Sequence, residues 1–114
     1  MKSMLKADLH NHSYYSDGVL SPSELVEQSN DAYCDLFALT DHDTTEGIIQ
    51  AQLEANKLSV KLINGVEISA FWGNMAIHIV GLGIDIDNDI DIDIGVIESP
   101  IMSSKVNIES ILVF

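Results

Sequence analysis

Two histidines separated by one residue, His10 and His12, carry the first chemistry in the chain, with the carboxylate of Asp17 shortly after them. They follow a short apolar run, Met4, Leu5, Ala7 and Leu9, that reads as a first β-strand. Alternate residues of a strand share a face, so the two imidazoles would point the same way, roughly 6.6 Å apart. Neutral imidazole is the commonest protein ligand for transition metals, and a following carboxylate can complete or bridge such a site. A His-x-His pair alone fits surface or core packing as readily, so the remaining chain has to decide.

The elements that would position these residues follow in a regular order. Ser21-Pro22-Ser23-Glu24 is a helix start: Ser21 caps, Pro22 suits the first helical position and Glu24 completes a capping box. Leu25, Val26, Ser29 and Ala32 form the inward stripe of that helix, which ends near residues 30–33. Residues 34–40, nearly all apolar, read as a strand buried on both faces, as in a parallel sheet covered by helices. This strand runs into Thr40-Asp41-His42-Asp43-Thr44, where Asp43 or Thr44 is expected to cap a second helix carrying Ile48, Ile49, Ala51, Gln52, Leu53 and Ala55. A third strand over residues 60–68, interrupted by Gly65, delivers Glu67 near its end. Phe71 to Asn74 read as a turn, with the aromatics packing at the rim, and residues 76–83 form a further strand containing His78.

Strand, helix, strand, helix, strand at about 30 residues per unit is the rhythm of a βαβ sheet or barrel. In such folds the polar residues at the carboxyl ends of strands tend to do the chemistry. His10, His12, His42 and Glu67 take that position. His78 lies in an apolar stretch that would ordinarily hold a core histidine, yet all four histidines of the chain fall at or just after a strand.

Composition narrows the partners. The 114 residues are 46% hydrophobic, enough for one modest core. No apolar run approaches the roughly 18–20 residues that span a bilayer, and the start lacks a signal-peptide core, so a soluble, cytoplasmic protein is expected. Cys34 can form no internal disulfide and reads as a small core residue. Five basic residues, all lysines, face 18 acidic ones, a net charge of −13. That charge repels nucleic-acid phosphate unless bound cations invert the local field. From Ile84 to Ile94 isoleucine and aspartate largely alternate, which is strand periodicity with aspartates stacked on one face. A calcium loop fails there, because Ile90 stands where glycine is needed and Val96 where a bidentate glutamate is needed. Residues 88–114 are therefore expected to be a divergent acidic tail, either an edge strand or a poorly ordered end, following a first portion at 1–87.

Taken together, Asp8-Leu9-His10-Asn11-His12-Ser13 with Ser16-Asp17-Gly18, Ala38-Leu39-Thr40-Asp41-His42-Asp43-Thr44, Gly65-Val66-Glu67-Ile68-Ser69 and Ile77-His78-Ile79-Val80-Gly81-Leu82-Gly83 resemble the amino-terminal part of a PHP-domain (polymerase and histidinol phosphatase) metallophosphoesterase. The wording around His42 and the closing Gly-Leu-Gly are similar to the branch containing RNase AM and nucleoside 3′,5′-bisphosphate phosphatases. The resemblance implies an α/β fold, a partial (β/α) barrel whose carboxyl-end rim holds two or three divalent ions, manganese, zinc or iron. It implies that His10 and His12 bind one ion, that Glu67 bridges it to a second held by His78, and that Asp17 with His42 serves a third. Asp8 and Asp41 would orient the imidazoles. The implied reaction is attack of a metal-activated water on a phosphate ester, with no protein nucleophile. The implied substrate is a phosphorylated small molecule or a nucleic-acid end.

The chain departs from that family after His78, beyond which it has no histidine, and it has no arginine to clamp a phosphate. A complete eight-unit barrel takes about 250 residues. A truncated member is expected, with exposed strand edges that invite self-association. Two readings follow: a metal-dependent phosphoesterase, or a non-catalytic metal-binding remnant or interaction module lacking the carboxyl-terminal ligands.

Overall fold

A computed structural model describes residues 4–86 and 110–113 of the chain. Its elements are β1 (Ala7–Asp8), α1 (Pro22–Asp31), β2 (Leu36–Leu39), α2 (Ile48–Ala55), β3 (Lys61–Trp72), β4 (Met75–Leu82) and β5 (Ser110–Val113). The five strands form one sheet in sequential order. β1, β2 and β3 run parallel, whereas β4 and β5 are antiparallel to their neighbours. Two βα units followed by a hairpin make a partial (β/α) barrel, the α/β architecture that the strand and helix rhythm predicts.

The apolar patterning explains the layering. In β2, Phe37, Ala38 and Leu39 are all buried, as a strand with neighbours on both sides and a covered face requires. Both helices turn their small or branched residues to the sheet, Val26 from α1 and Ile48, Ala51 and Ala55 from α2. These meet Phe37, Leu39, Leu62, Val66, Ile68 and Ile79 in a single core. α1 begins as its sequence dictates, with Ser21 Oγ accepting from the Glu24 amide at 3.1 Å and the Glu24 carboxylate accepting from the Ser21 amide at 3.1 Å. Cys34 is buried, its thiol directed at the carbonyl oxygen of Leu36.

Several boundaries differ from the sequence reading, each for a physical reason. β1 is only two residues long and exposed, because nothing pairs with its outer edge among the described residues, so His10 and His12 lie in the loop beyond it. Ala32 caps the end of α1 and is exposed rather than inward. Neither Asp43 nor Thr44 caps α2: the cap position is Gly47, with no side-chain bond, and the Asp43 carboxylate is engaged elsewhere. Ile49 and Leu53, 66% and 61% exposed, face away from the core. Gly65 does not interrupt β3, which continues to Trp72, so Phe71 and Trp72 belong to the strand and the turn is confined to Gly73 and Asn74, Gly73 having φ +60°. Of the expected tail, Ser110–Val113 pair with β4, and residues 88–109 and 114 lie outside the described residues.

Candidate metal centre

The loop after β1 is fixed to the end of β2 by backbone and side-chain bonds of Asn11, the residue between the two histidines. The Asn11 amide donates to Thr40 Oγ1 at 3.0 Å, the Thr40 amide donates to the Asn11 carbonyl at 2.8 Å, and Asn11 Nδ2 donates to the Ala38 carbonyl at 3.1 Å. Asn11 is thereby spent on the sheet, which leaves its neighbours His10 and His12 to project over the strand end. The loop then closes on itself where the Gly18 amide donates to the Ser13 carbonyl at 2.9 Å. A Cβ at Gly18 would collide with the His12 carbonyl, so this closure needs glycine.

Buried Asp41 holds the same loop from below. Its carboxylate accepts from the Ser13 amide at 2.6 Å, from Ser13 Oγ at 2.7 Å and from Ser16 Oγ at 2.7 Å. The next residue, His42, is bridged to Glu67 of β3: the Glu67 amide donates to the Asp41 carbonyl at 3.0 Å and the Asp43 amide to the Glu67 carbonyl at 2.9 Å. His78 sits on β4 opposite Ser69, and therefore on the same sheet face as Glu67, diagonal to it.

These placements converge on one carboxylate. Glu67 Oε1 lies 2.7 Å from His10 Nε2, 2.7 Å from His12 Nε2 and 3.9 Å from His42 Nδ1, while Oε2 lies 2.8 Å from His78 Nδ1. Asp17 bridges from the rim, with Oδ1 at 2.6 Å from His12 Nδ1 and Oδ2 at 3.2 Å from His42 Nε2. The rings of His12 and His42 meet edge-on at 4.3 Å, and those of His42 and His78 at 5.3 Å. The Glu67 side chain is 6% exposed and that of Asp17 64%, so one acid lies at the floor and the other at the mouth.

The donor set fits metal ions. His12 Nε2 is buried and has no hydrogen-bond partner of acceptable geometry, although Glu67 Oε1 is only 2.7 Å away. With Nδ1 donating to Asp17, Nε2 presents a lone pair to a carboxylate lone pair. Such an approach demands a positive charge between them, a second ring proton or a cation. Three sets offer donor atoms all within 4.8 Å of one another: His10, His12 and Glu67; His12, Asp17 and His42; and His42, Glu67 and His78. That spread is near the span of two ligands each about 2.0–2.2 Å from a shared ion. Burial pushes the Glu67 carboxyl up, but hydrogen bonds from His10 and His78 and the charges of His42 and His10 outweigh it and leave the pKa below its usual value. The bond from His12 is the largest influence on Asp17, whose carboxyl is likewise held low. Both acids are kept in the ionised form that a metal requires.

All six side chains singled out as ligands from the sequence, His10, His12, Asp17, His42, Glu67 and His78, thus face one cluster. Glu67 reaches it from the middle of β3 rather than its end, because β3 outlasts its parallel pairing with β2, which stops at Asn64. Asp8 and Asp41, expected to orient the imidazoles, have contacts to the loop that carries them. Asp8 accepts from Asn11 Nδ2 at 3.0 Å and Asp41 binds Ser13 and Ser16, so both carboxylates brace the chain that carries the rings. Asp43, read from sequence as a helix cap, accepts from the Ser69 amide at 2.7 Å beside the cluster. Its signal was present in the sequence only as the second acid next to His42, after Asp41.

A family profile described as the PHP domain matches residues 8–91. The chain is 52% identical over 77 residues to a 5′-3′ exoribonuclease of Haemophilus influenzae, covering 68% of this chain and 28% of the relative. It is 46% identical over 80 residues to a 3′,5′-nucleoside bisphosphate phosphatase of Chromobacterium violaceum, covering 70% and 28%. A solved structure from Bifidobacterium adolescentis, described as a candidate metal-dependent phosphoesterase, superposes with a TM-score of 0.66 at 32% identity, covering 68% of this chain and 27% of that one. The chain therefore spans a little over a quarter of the length of these relatives.

Proposed function

The chain belongs to the PHP domain family, and from that premise we propose that it is a metal-dependent phosphoesterase, or the metal-binding portion of one, acting on a nucleotide or a nucleic-acid end. The observation that carries this reading is the Glu67 carboxylate ringed by four imidazoles, with Asp17 at the mouth. His10, His12 and Glu67 would hold one divalent ion, His42, Glu67 and His78 a second, and His12, Asp17 and His42 a third, with manganese, zinc or iron suited to such nitrogen and oxygen donors. When bound, such ions activate water and neutralise the charge of a phosphoryl group.

The chain's own residues do the rest. Buried Glu67 fixes the relative placement of the rings, since its Oε1 faces His10, His12 and His42 and its Oε2 faces His78. His12 is held in orientation by Asp17, so its second nitrogen points inward. Asp17, exposed and ionised, lies where a substrate phosphate enters, which without cations would repel it. Activity on phosphate esters is thus tied to cation loading, and the functional residues fall within the first portion, 1–87.

A second reading is metal binding without turnover, because the three ligand sets need no substrate-binding group to hold an ion. The two separate in one experiment: hydrolysis of a nucleoside 3′,5′-bisphosphate with added manganese, by the chain and by a His10→Ala, His12→Ala variant, alongside manganese binding by paramagnetic resonance. Turnover lost in the variant is the expected result for an enzyme. Binding without turnover supports the second reading, and absence of both overturns the metal-centre reading.

A further inference from the structure

Asp43 stands outside every ligand set, and its geometry is nonetheless the most constrained beside the centre. Its backbone adopts φ +55°, a left-handed conformation that aspartate takes only at a cost of about 1 kcal/mol or more. Something must hold it there, and hydrogen bonds on both its amide and its side chain do. Its amide donates to the Glu67 carbonyl at 2.9 Å, which with the Glu67 amide donating to the Asp41 carbonyl at 3.0 Å makes the isolated parallel bridge at His42, and its Oδ1 accepts from the Ser69 amide at 2.7 Å.

The location gives these bonds their meaning. Regular β2–β3 pairing ends at Leu39 and Asn64, while β3 continues to Trp72 against β4 on its other side. Beyond the isolated bridge at His42 and Glu67, no strand among the described residues satisfies the β2-facing edge of β3, and the Asp43 carboxylate supplies the acceptor that the next strand residue would have offered to Ser69. Ser69 is the cross-strand partner of His78. One side chain therefore ties the peptide next to His42 to the peptide facing His78.

We propose that Asp43 is a positioning residue that sets the spacing between His42 and His78 around Glu67, and so the affinity of that ligand set for a divalent cation. This rests on the metal-centre reading for its consequence but not for its geometry. Asp43→Asn keeps both an acceptor for the Ser69 amide and tolerance of the left-handed backbone. Asp43→Gly keeps the backbone and removes the acceptor, so the pair separates the bond from the strain.

Two measurements on the whole chain decide it. In metal-free protein, amide exchange at Ser69 and ring-to-ring cross-peaks between His42 and His78, whose centroids lie 5.3 Å apart, should match wild type in the Asn variant. In the Gly variant the Ser69 protection should fall and the cross-peaks weaken. In a cobalt titration followed by visible absorption, the Gly variant should bind about 10- to 100-fold more weakly with an altered spectrum, the range typical of losing a supporting partner, and Asn should restore it. Unchanged Ser69 protection and ring proximity in the Gly variant, or cobalt binding equal to wild type, overturns the proposal. Should wild type itself bind no cobalt, the metal-centre reading fails, while the exchange and cross-peak data still judge the positioning role of Asp43.

Discussion

Glu67 is an acid placed almost out of solvent, a position that ordinarily favours the neutral carboxyl. It is held ionised because imidazoles surround it and two of them, His10 and His78, bond to it directly. A carboxyl whose folded pKa is depressed contributes stability that is complete above its unfolded value and is lost as the pH falls through the folded value. Metal-free protein should therefore lose stability on the acid side of 4.5, the ordinary value for glutamate. In Glu67→Gln the urea midpoint should fall less steeply between pH 5 and pH 3, about the range in which carboxylates titrate. The same variant should weaken manganese binding by at least the 10- to 100-fold that loss of a supporting partner costs. Equal acid slopes in the two proteins would contradict the assignment of Glu67 as the electrostatic hub. At this scale the six clustered side chains were readable in sequence, because the chain has only four histidines and all of them fall at or just after an expected strand. The bracing roles of Asp41 and Asp43 were not readable, since their donors, Ser13, Ser16 and the Ser69 amide, come from other segments and meet them only in the fold.

Helices and strands differ in how locally they are specified. The start of α1 is written in four consecutive residues, and the capping box forms as those residues dictate. Ser21→Ala should cost about 1 kcal/mol, read as a lower urea midpoint with unchanged slope. The start of α2 has no such signal, and its cap falls on Gly47. Strand limits depend on neighbours. Gly65 suggested a break in β3, yet the residue is buried within the strand where three backbones crowd. A Cβ there would lie 2.7 Å from Thr40 Cγ2, 3.0 Å from the Leu39 carbonyl oxygen and 3.1 Å from the Gly81 carbonyl oxygen. Gly65→Ala should destabilise by about 1–3 kcal/mol through overpacking, and because Thr40 locks the His10–His12 loop, it should also weaken manganese binding. A variant as stable as wild type would show that Thr40 yields without cost. The antiparallel sense of β4 was within reach of the sequence, because even the short gap between the expected strands at 60–68 and 76–83 leaves no room for a crossover helix, and in the structure the turn narrows to Gly73 and Asn74.

Across the whole molecule, charge and a small core act together. A net charge of −13 on 114 residues opposes compaction, and the candidate metal centre gathers two acids and four imidazoles in one cluster. The chain spans a little over a quarter of its relatives, and β1 presents an edge that no described strand covers. With a small core and a charged centre, cation binding should be a large fraction of total stability. A ligand that binds only the folded state adds about 2.7 kcal/mol at a hundredfold excess over its dissociation constant. For a chain of this size that corresponds to a rise in melting temperature of about 10 °C. Sodium at matched ionic strength screens the net charge but cannot be shared by imidazoles, so it should give a much smaller shift. The manganese effect should vanish on adding a chelator and be largely absent in Glu67→Gln. Equal stabilisation by manganese and sodium would mean that screening, not a shared centre, explains the response, and the convergence on Glu67 would then have no role in holding cations.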